Sequence, residues 1–333
     1  MSLAPHPITN LFDVIEGPIR FGLLKWAIEE GVFDLCQSTQ TPKRVAGRIG
    51  ADEGRVAVAL QTLTSAGYLR HLDGGYETHQ DYAPYLIRGA EQCFVQTFLD
   101  LSQARHAGLA ELGALIGGQQ INGSPPKFDA DHWQRMQISL QSFHRAVAAE
   151  HMLKALETLP EWAGAKTVLD VGGGSFELAQ AILAKYPAFR ITVYDIPEMV
   201  DSLGQPSHDA ISVQSGSYND PGTFPDGLFD VIWCSMSLYF ASDGLAEVIG
   251  NLAQKVAPGG VFVSFHEDLT EDRCQPARHV VGRSLPAISG KNLSFSNGEV
   301  SDAMKHAGLL QITSTIIDTP FGEYRLDAGR VRS

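Results

Sequence analysis

The chain has 333 residues, of which 44% are hydrophobic and 19% charged, so it can bury a full core and is not disordered. Its formal net charge of −13 argues against a nucleic-acid surface and against binding to anionic lipid. This length favours two domains over one.

Four cysteines are spread along the chain, and none of them has a CxxC or a Cys/His zinc spacing. We therefore expect reduced thiols in a cytoplasmic protein, and no metal site. The segment Met1–Pro5 has no charged stretch before an apolar run, so we expect no signal peptide. No window is long and apolar enough to predict a membrane span. The cysteines are Cys36, Cys93, Cys234 and Cys274.

The first hundred residues predict a small helical domain with a β-hairpin. Thr41-Pro42 is typical of a helix start, and Asp52 is expected to cap a second helix. The strands Tyr68–Leu72 and Tyr76–Thr78 should follow, joined by a glycine-rich turn. Helix, helix and hairpin in this order indicate a winged-helix arrangement.

A winged helix raises the hypothesis of DNA binding, and with it that of a ligand-sensing regulator. The second helix stands in the recognition position, but Arg55 is its only basic residue and Glu53 lies beside it. Because phosphate contacts supply most DNA affinity, the charge favours a packing and dimerisation module instead.

Residues 105–160 are predicted to be mostly helical, with loops at Gly117-Gly118 and Asn122–Pro126 and one long helix over Met136–Leu156. From Thr167 onward, strands and helices alternate, which predicts a largely parallel sheet. The segment Ala257–Gly260 is expected to be a loop before the fifth strand. The predicted strands are Thr167–Val171, Arg190–Asp195, Ile211–Gln214, Asp230–Cys234, Val261–Phe265 and Gln311–Ile317.

The first two of these strands frame a nucleotide-binding turn. Gly172 and Gly174 follow the first strand, and Asp195 ends the second, where a carboxylate can accept both ribose hydroxyls. A dinucleotide site needs a third glycine, and Glu177 stands in its place, where it would also repel a pyrophosphate. S-adenosylmethionine has no phosphate, so the turn favours that cofactor.

The motifs along the chain are similar to those of the plant-type and bacterial small-molecule O-methyltransferases, a class I S-adenosylmethionine-dependent family. Asp170–Gly174, Tyr194–Pro197 and Pro258–Gly260 match its successive motifs, and the resemblance covers nearly the whole chain. It implies an α/β fold with a Rossmann-like seven-stranded sheet whose last strand is antiparallel, plus an N-terminal winged-helix domain. It also implies a homodimer.

By this resemblance we expect three parts: a winged-helix dimerisation domain at 1–104, a helical linker at 105–160 that contributes to the substrate pocket, and a catalytic domain at 161–333. The expected cofactor contacts are Asp170, Gly172, Gly174, Asp195, Ile196, Ser217, Tyr218 and Cys234.

Two departures from the family's pattern concern the cofactor. Phe176 replaces a usual glycine, and its ring either narrows the site or packs against the sheet. Ser217-Tyr218 stands where an aspartate usually contacts adenine; the serine can hydrogen-bond, and the tyrosine can stack on the base.

Two further departures concern catalysis. Tyr239 and Phe240 replace a His-Asp pair whose histidine is the family's general base. A phenol is a poor base at neutral pH, so Tyr239 either acts as the base or only shapes the substrate pocket. Methyl transfer is a direct displacement, and an acidic acceptor needs little help from a base. Some relatives with a tyrosine here, such as the bacteriochlorophyll C-20 carbon methyltransferase, methylate carbon.

His266 follows the fifth strand and is the candidate replacement base. Its neighbour Glu267 suggests a metal corner, although adjacent side chains on a strand point apart. Glu299 is read first as part of a capping box with Ser296. The residues assigned to the substrate pocket are His144, Met236 and His279.

The leading hypothesis is a dimeric S-adenosylmethionine-dependent methyltransferase of a small aromatic or enolic metabolite in secondary metabolism, with O-methylation favoured and C-methylation open. The alternative is a relative that binds the cofactor but catalyses hydroxylation, decarboxylation or cyclisation.

Overall fold

The structure is a computed structural model that describes residues 7–119, 129–242, 244–291 and 293–332. The predictions for Met1–Pro5 and for the Asn122–Pro126 loop lie outside the described residues. The chain divides into two compact units, Met1–Leu99 and Asp100–Ser333. In the described ranges, no helix is both long and apolar enough to cross a membrane.

The first unit contains the predicted helix, helix and hairpin. Its elements are α1 (Pro7–Glu29), α2 (Val32–Leu35), α3 (Pro42–Ile49), α4 (Glu53–Ser65), β1 (Leu69–Leu72), β2 (Gly75–Thr78), α5 (Ala83–Leu86) and the start of α6 (Val95–His106).

Local sequence explains why these elements begin where they do. The Thr41 hydroxyl accepts the Arg44 N–H at 3.3 Å, and the Asp52 carboxylate accepts the Arg55 N–H at 2.9 Å. Both side chains therefore satisfy free N–H groups at helix starts, as predicted. Apolar residues from α1 to α6, including Leu60, form the core of this unit.

The second unit is a sheet covered by helices. Its helices are α7 (Leu112–Ile116), α8 (Ala130–Phe143), α9 (Ala149–Glu157), α10 (Glu177–Lys185), α11 (Pro197–Leu203), α12 (Leu245–Ala253), α13 (Ala277–Ile288) and α14 (Glu299–His306). Its strands are β3 (Thr167–Val171), β4 (Arg190–Asp195), β5 (Ile211–Ser215), β6 (Phe229–Ser235), β7 (Val256–His266), β8 (Asp268–Leu269), β9 (Phe295–Ser296), β10 (Leu310–Thr319) and β11 (Gly322–Arg330).

Seven strands form the main sheet in the order β10-β11-β7-β6-β3-β4-β5. Strand β11 lies antiparallel between β10 and β7, and the other neighbouring pairs are parallel. This confirms the predicted Rossmann-like sheet with an antiparallel last strand. The parallel strands place the carboxyl ends of β3, β4, β6 and β7 at one edge, where ligands bind in such folds.

Alternating side chains of the strands supply two core layers. One layer contains Val168, Val193 and Trp233 and packs against α9 and α10. The other contains Leu169, Tyr194 and Cys234 and packs against α12 and α14. Both faces of the parallel strands are therefore buried, as the continuous apolar runs require.

Two strands differ from the prediction. The antiparallel strand that the resemblance implied was not assigned to residues; it is β11, in which Tyr324, Leu326 and Ala328 alternate toward the core. The expected loop Ala257–Gly260 lies inside β7, where the register slips between Phe229 and Val231 of β6. Extra residues accommodated as a bulge let the pairing continue, which a loop-type sequence does not reveal.

The predicted long helix over Met136–Leu156 is continuous but not uniform. Helix α8 ends at Phe143, a π-helical turn spans His144–Ala148, and α9 follows without a break. Such turns mark functional sites often, and here His144 begins the turn.

Candidate active site

The glycine turn after β3 brings the backbone close to two other elements. Gly172 has a φ of +70° and Gly174 a φ of +63°. A Cβ atom at Gly172 would lie 2.6 Å from the Cβ of Ser237, and one at Gly174 would lie 2.8 Å from Cδ1 of Leu140. Both positions therefore require glycine, for conformation and for space.

Asp195 fastens this turn to the end of β4. Its Oδ2 accepts the Gly174 N–H at 2.9 Å, and its Oδ1 accepts the Ile196 N–H at 2.8 Å. Burial raises the pKa of Asp195, although both N–H groups act against the increase. Each carboxylate oxygen keeps a lone pair, so Asp195 can still accept hydroxyl groups. The neighbouring Asp170 is buried, and burial together with Asp195 raises its pKa to about 7.

Phe176 and Glu177 are both accounted for by protein contacts. The Phe176 ring is buried in the core beside the sheet. Of the two alternatives for this ring, it packs against the sheet rather than narrowing the cofactor site. Glu177 begins α10 and accepts hydrogen bonds from Arg145 at 2.6 Å and from Gln141 at 3.2 Å. These contacts neutralise the acidic group at the helix start.

His144 connects the long helix to the glycine turn. Its Nδ1 lies 2.7 Å from the Ser175 hydroxyl, which also accepts the Glu177 N–H. The ring is buried, and burial lowers the pKa of His144 to about 4. The imidazole is therefore neutral at physiological pH and positions the turn.

The segment after β5 lies beside the end of β6. The Tyr218 hydroxyl donates to the Ser237 carbonyl at 2.8 Å, and burial raises the pKa of Tyr218. The Ser217 hydroxyl accepts the Asn219 N–H at 3.3 Å and shapes the turn. Both residues stay at the same edge of the sheet as Asp195.

Cys234, a predicted cofactor contact, is fully buried in the core layer that packs against α12 and α14. The alternation of side chains on β6 directs Cys234 into this core layer and Trp233 into the other. The hydroxyls of Ser235 and Ser237 are buried and find no hydrogen-bond partner among the described residues. Ser237 rather than Cys234 presents an unpaired polar atom beside the glycine turn.

His266, the predicted base, has both ring nitrogens in hydrogen-bond contact with the protein. Its Nε2 accepts the N–H groups of Ser237 and Leu238, each at 3.1 Å, and its Nδ1 lies 2.7 Å from the Ser264 hydroxyl. Burial, and then the charge of Arg283, lowers the pKa of His266 to about 3. The lone pair that a base needs is already engaged, so His266 positions the loop after β6.

Tyr239 belongs to a three-residue network. Its hydroxyl donates to Glu267, and Arg283 forms an ion pair with Glu267 and approaches the Tyr239 hydroxyl at 3.3 Å. Burial, and then the charge of Glu267, raises the pKa of Tyr239 well above its usual value. The phenol therefore stays protonated at neutral pH. Of the two roles predicted for Tyr239, this arrangement favours shaping the substrate pocket.

The two other pocket residues lie near the ends of β6 and β11. His279 on α13 donates from Nε2 to the Glu323 carbonyl at 2.6 Å, and burial lowers its pKa. Met236 has a φ of +50°, an unusual backbone conformation for this residue type, and donates its N–H to the Phe265 carbonyl. Such strain is found at functional sites. Within the described residues, no three side chains of metal-ligand type come together.

The methyltransferase domain family matches residues 140–311, which is more than half of the 333 residues. The chain belongs to this family. The match begins in α8 and includes the glycine turn, Asp195, the Tyr239 network and α13. The sequence resemblance to methyltransferases is thereby confirmed.

Known members of the family include small-molecule enzymes. The chain is 23% identical to demethylspheroidene O-methyltransferase of Rhodobacter capsulatus, over 76% of this chain and 64% of that protein. It is 22% identical to 3-hydroxy-5-methyl-1-naphthoate 3-O-methyltransferase of Streptomyces sahachiroi, over 94% and 92%. Human N-acetylserotonin methyltransferase, solved with SAM, has the same fold, with a TM-score of 0.80, 19% identity and full coverage of both chains.

Several residues that build this candidate site were not predicted from the sequence. Arg283 was not singled out, because it lies on a helix more than 40 residues after Tyr239. Ser175 and Ser237 were missed because a serine carries no spacing signal of its own. Glu267 was noted only as a metal corner, and Glu299 accepts the Ser296 N–H at 2.8 Å, as the capping box predicts.

Proposed function

We propose that this chain is an S-adenosylmethionine-dependent methyltransferase of a small aromatic or enolic metabolite in secondary metabolism, with O-methylation favoured over C-methylation. The observation that carries the proposal is the glycine turn held by Asp195 against the end of β6, in a chain of the methyltransferase family. The named relatives act on small molecules, which supports the substrate class.

The residues present fit this cofactor. Ser237 and Leu140 pack closely on Gly172 and Gly174 and fix the turn, and Asp195 has lone pairs for ribose hydroxyls. The unpaired Ser237 hydroxyl lies beside Gly172 and suits the polar end of the cofactor. Asp170, Ile196, Ser217 and Tyr218 are proposed to complete the site. The bound cofactor would supply a methyl group on a sulfonium.

The protein's own task is to orient the acceptor and exclude water, because methyl transfer is a direct displacement. Neither Tyr239 nor His266 is arranged to take a proton. We therefore propose that the acceptor ionises readily, as an acidic phenol or enol does, and that His144, Met236 and His279 shape its surroundings.

The arrangement of Tyr239 and His266, neither of which is positioned to take a proton, also supports a second candidate function. A family relative that binds the cofactor without transferring its methyl group needs no base for an acceptor hydroxyl. Hydroxylation, decarboxylation or cyclisation therefore remains the alternative, and it is separated from transfer by the identity of the product.

We also propose a cytoplasmic homodimer in which 1–104 is the dimerisation domain, 105–160 the helical linker and 161–333 the catalytic domain. Helix α1 exposes a series of large apolar side chains, which is unusual for a helix that faces water. The four cysteines are free, as in a reducing compartment. Light scattering should give twice the chain mass, and a monomer would contradict the dimer. The exposed side chains are Ile8, Leu11, Phe12, Val14, Ile15 and Ile19.

The test is incubation with S-adenosylmethionine that carries a trideuterated methyl group and a panel of phenolic and enolic acceptors. Mass spectrometry should find a product heavier by one trideuteromethyl group, together with S-adenosylhomocysteine. A product that lacks the label, formed only when the cofactor is present, would support the alternative. No product and no cofactor binding would contradict both.

A further inference from the structure

Three arginines gather where α6 and α13 meet: Arg105 in the last turn of α6, and Arg278 and Arg283 on α13. We call them the arginine cluster. A Cβ atom at Gly282 would lie 3.1 Å from Cζ of Arg105, so the guanidinium rests against the bare backbone of α13. His279, one turn before Arg283, lies on the same side of the helix.

Among the described residues, the three arginines of the cluster pair with a single carboxylate. Arg283 pairs with Glu267, and Arg278 donates to the Pro320 carbonyl at 2.8 Å. Arg105 makes no hydrogen bond or ion pair to any residue in the described ranges. Three cations thus share one carboxylate, in a chain whose net charge is −13.

Burial and the two neighbouring arginines make the positive charge of Arg105 unfavourable. Burial lowers the pKa of Arg105, and Arg283 and Arg278 lower it further, while Tyr324 acts in the opposite direction. The same three arginines also lower the pKa of His279. A bound anion would compensate the repulsion among these groups.

The cluster is connected to the proposed cofactor site through direct contacts. Arg283 lies over the Tyr239 ring, with Cζ 4.9 Å from the ring centre. The Tyr239 and His266 rings are 5.2 Å apart, and His266 holds the N–H of Ser237 beside Gly172. Arg283 is therefore linked through Tyr239 and His266 to the loop that carries Ser237 against the glycine turn.

We propose that the arginine cluster binds an acidic group of the acceptor, and that the substrate is an aromatic or enolic carboxylic acid. This inference rests on the proposed function. A guanidinium matches a planar carboxylate with two parallel hydrogen bonds, and Arg105 is the member with none in use. The positive charge also favours the ionised form of a nearby acceptor hydroxyl, which compensates for the absence of a base.

The test compares hydroxyaryl carboxylic acids with their neutral primary amides, such as 3,4-dihydroxybenzoate with 3,4-dihydroxybenzamide, on benzoate, cinnamate and naphthoate skeletons. Binding is measured by calorimetry on the full chain saturated with S-adenosylhomocysteine. At least one acid should bind at least about tenfold more tightly than its amide, as expected for a charge-assisted pair. Arg105→Gln should remove that preference, and Arg105→Lys should retain part of it.

The matched control is Arg190→Gln, because Arg190 is exposed at the opposite end of the sheet. It should leave the preference and S-adenosylhomocysteine binding unchanged. Equal binding of acids and amides, no binding of any acid, or a preference that survives Arg105→Gln would overturn the inference, provided that S-adenosylhomocysteine still binds. Loss of S-adenosylhomocysteine binding in the unaltered chain would instead contradict the proposed function.

Discussion

His266 accepts the backbone N–H of Ser237 with its Nε2 at 3.1 Å, and the same nitrogen accepts the N–H of Leu238. The ring thereby uses its lone pair to fix the loop after β6, which carries Ser237 against the glycine turn. A histidine at a position that suggests a base is here a positioning residue.

His266→Ala is expected to destabilise the protein by roughly 2–5 kcal/mol, because two buried N–H groups lose their acceptor. Denaturant unfolding followed by circular dichroism measures this change. His208→Ala is the matched control: His208 is exposed, and its Nδ1 accepts the Ala210 N–H at 3.0 Å. It should cause a much smaller loss. Equal losses in the two variants would show that His266 does not fix the loop.

Tyr239→Phe is expected to reduce kcat/KM by less than about tenfold and to leave its pH profile unchanged, because the phenol is already protonated. Steady-state kinetics across the pH range measures both. A pH profile that loses one limb in Tyr239→Phe would restore the tyrosine as the base.

Glu267→Gln should destabilise the fold by about 3–5 kcal/mol, since it removes the carboxylate that pairs with Arg283. Thermal unfolding of this variant and of the unaltered chain measures the change.

Asp170 gives the stability of the fold a pH dependence. Its pKa is raised from 3.8 to about 7, so its contribution is fully present below about pH 4 and is lost as the pH rises through 7. Asp170→Asn stays neutral and should lack this decrease. The comparison uses the unfolding free energy of both proteins from pH 4 to 9. Parallel curves would mean that Asp170 titrates normally.

His144 and His266 have the opposite effect on the pH dependence of the unfolding free energy. The effect of Asp170 is therefore measured as the difference between two proteins. Their pKa values are lowered from 6.5 to about 4 and about 3, so their contribution is present above pH 6.5 and is lost as the pH falls through the lower values. Asp170→Asn leaves both histidines in place, so their effect cancels in the comparison.

Gly172→Ala tests the close approach of the glycine turn to β6. The added Cβ would lie 2.6 Å from the Cβ of Ser237, so we expect S-adenosylhomocysteine affinity to fall at least about tenfold. Gly204→Ala is the control, with a φ of +72° and no atom within 4 Å of the added Cβ. The two positions share a positive φ, and only the added Cβ at Gly172 meets another side chain. Unchanged affinity in Gly172→Ala would remove the turn from the binding site.

The positions of six strands and the turn at Gly172 could be predicted from sequence, because both follow from local patterns: apolar runs, glycines and an acid at a strand end. The role of His266 could not be predicted, since its position on β7 does not show which groups form hydrogen bonds with its ring. Arg105 and Arg283 meet only through the packing of α6 and α13, which no spacing records.

The central claim is that the turn at Gly172 and the carboxylate of Asp195 bind S-adenosylmethionine. Isothermal titration calorimetry of the unaltered chain and of Asp195→Asn tests it most directly. We predict one binding site per chain, and at least about tenfold weaker binding in Asp195→Asn, because the ribose loses a charged acceptor. Absence of binding to the unaltered chain at millimolar cofactor, or equal affinity in the two proteins, would contradict the account.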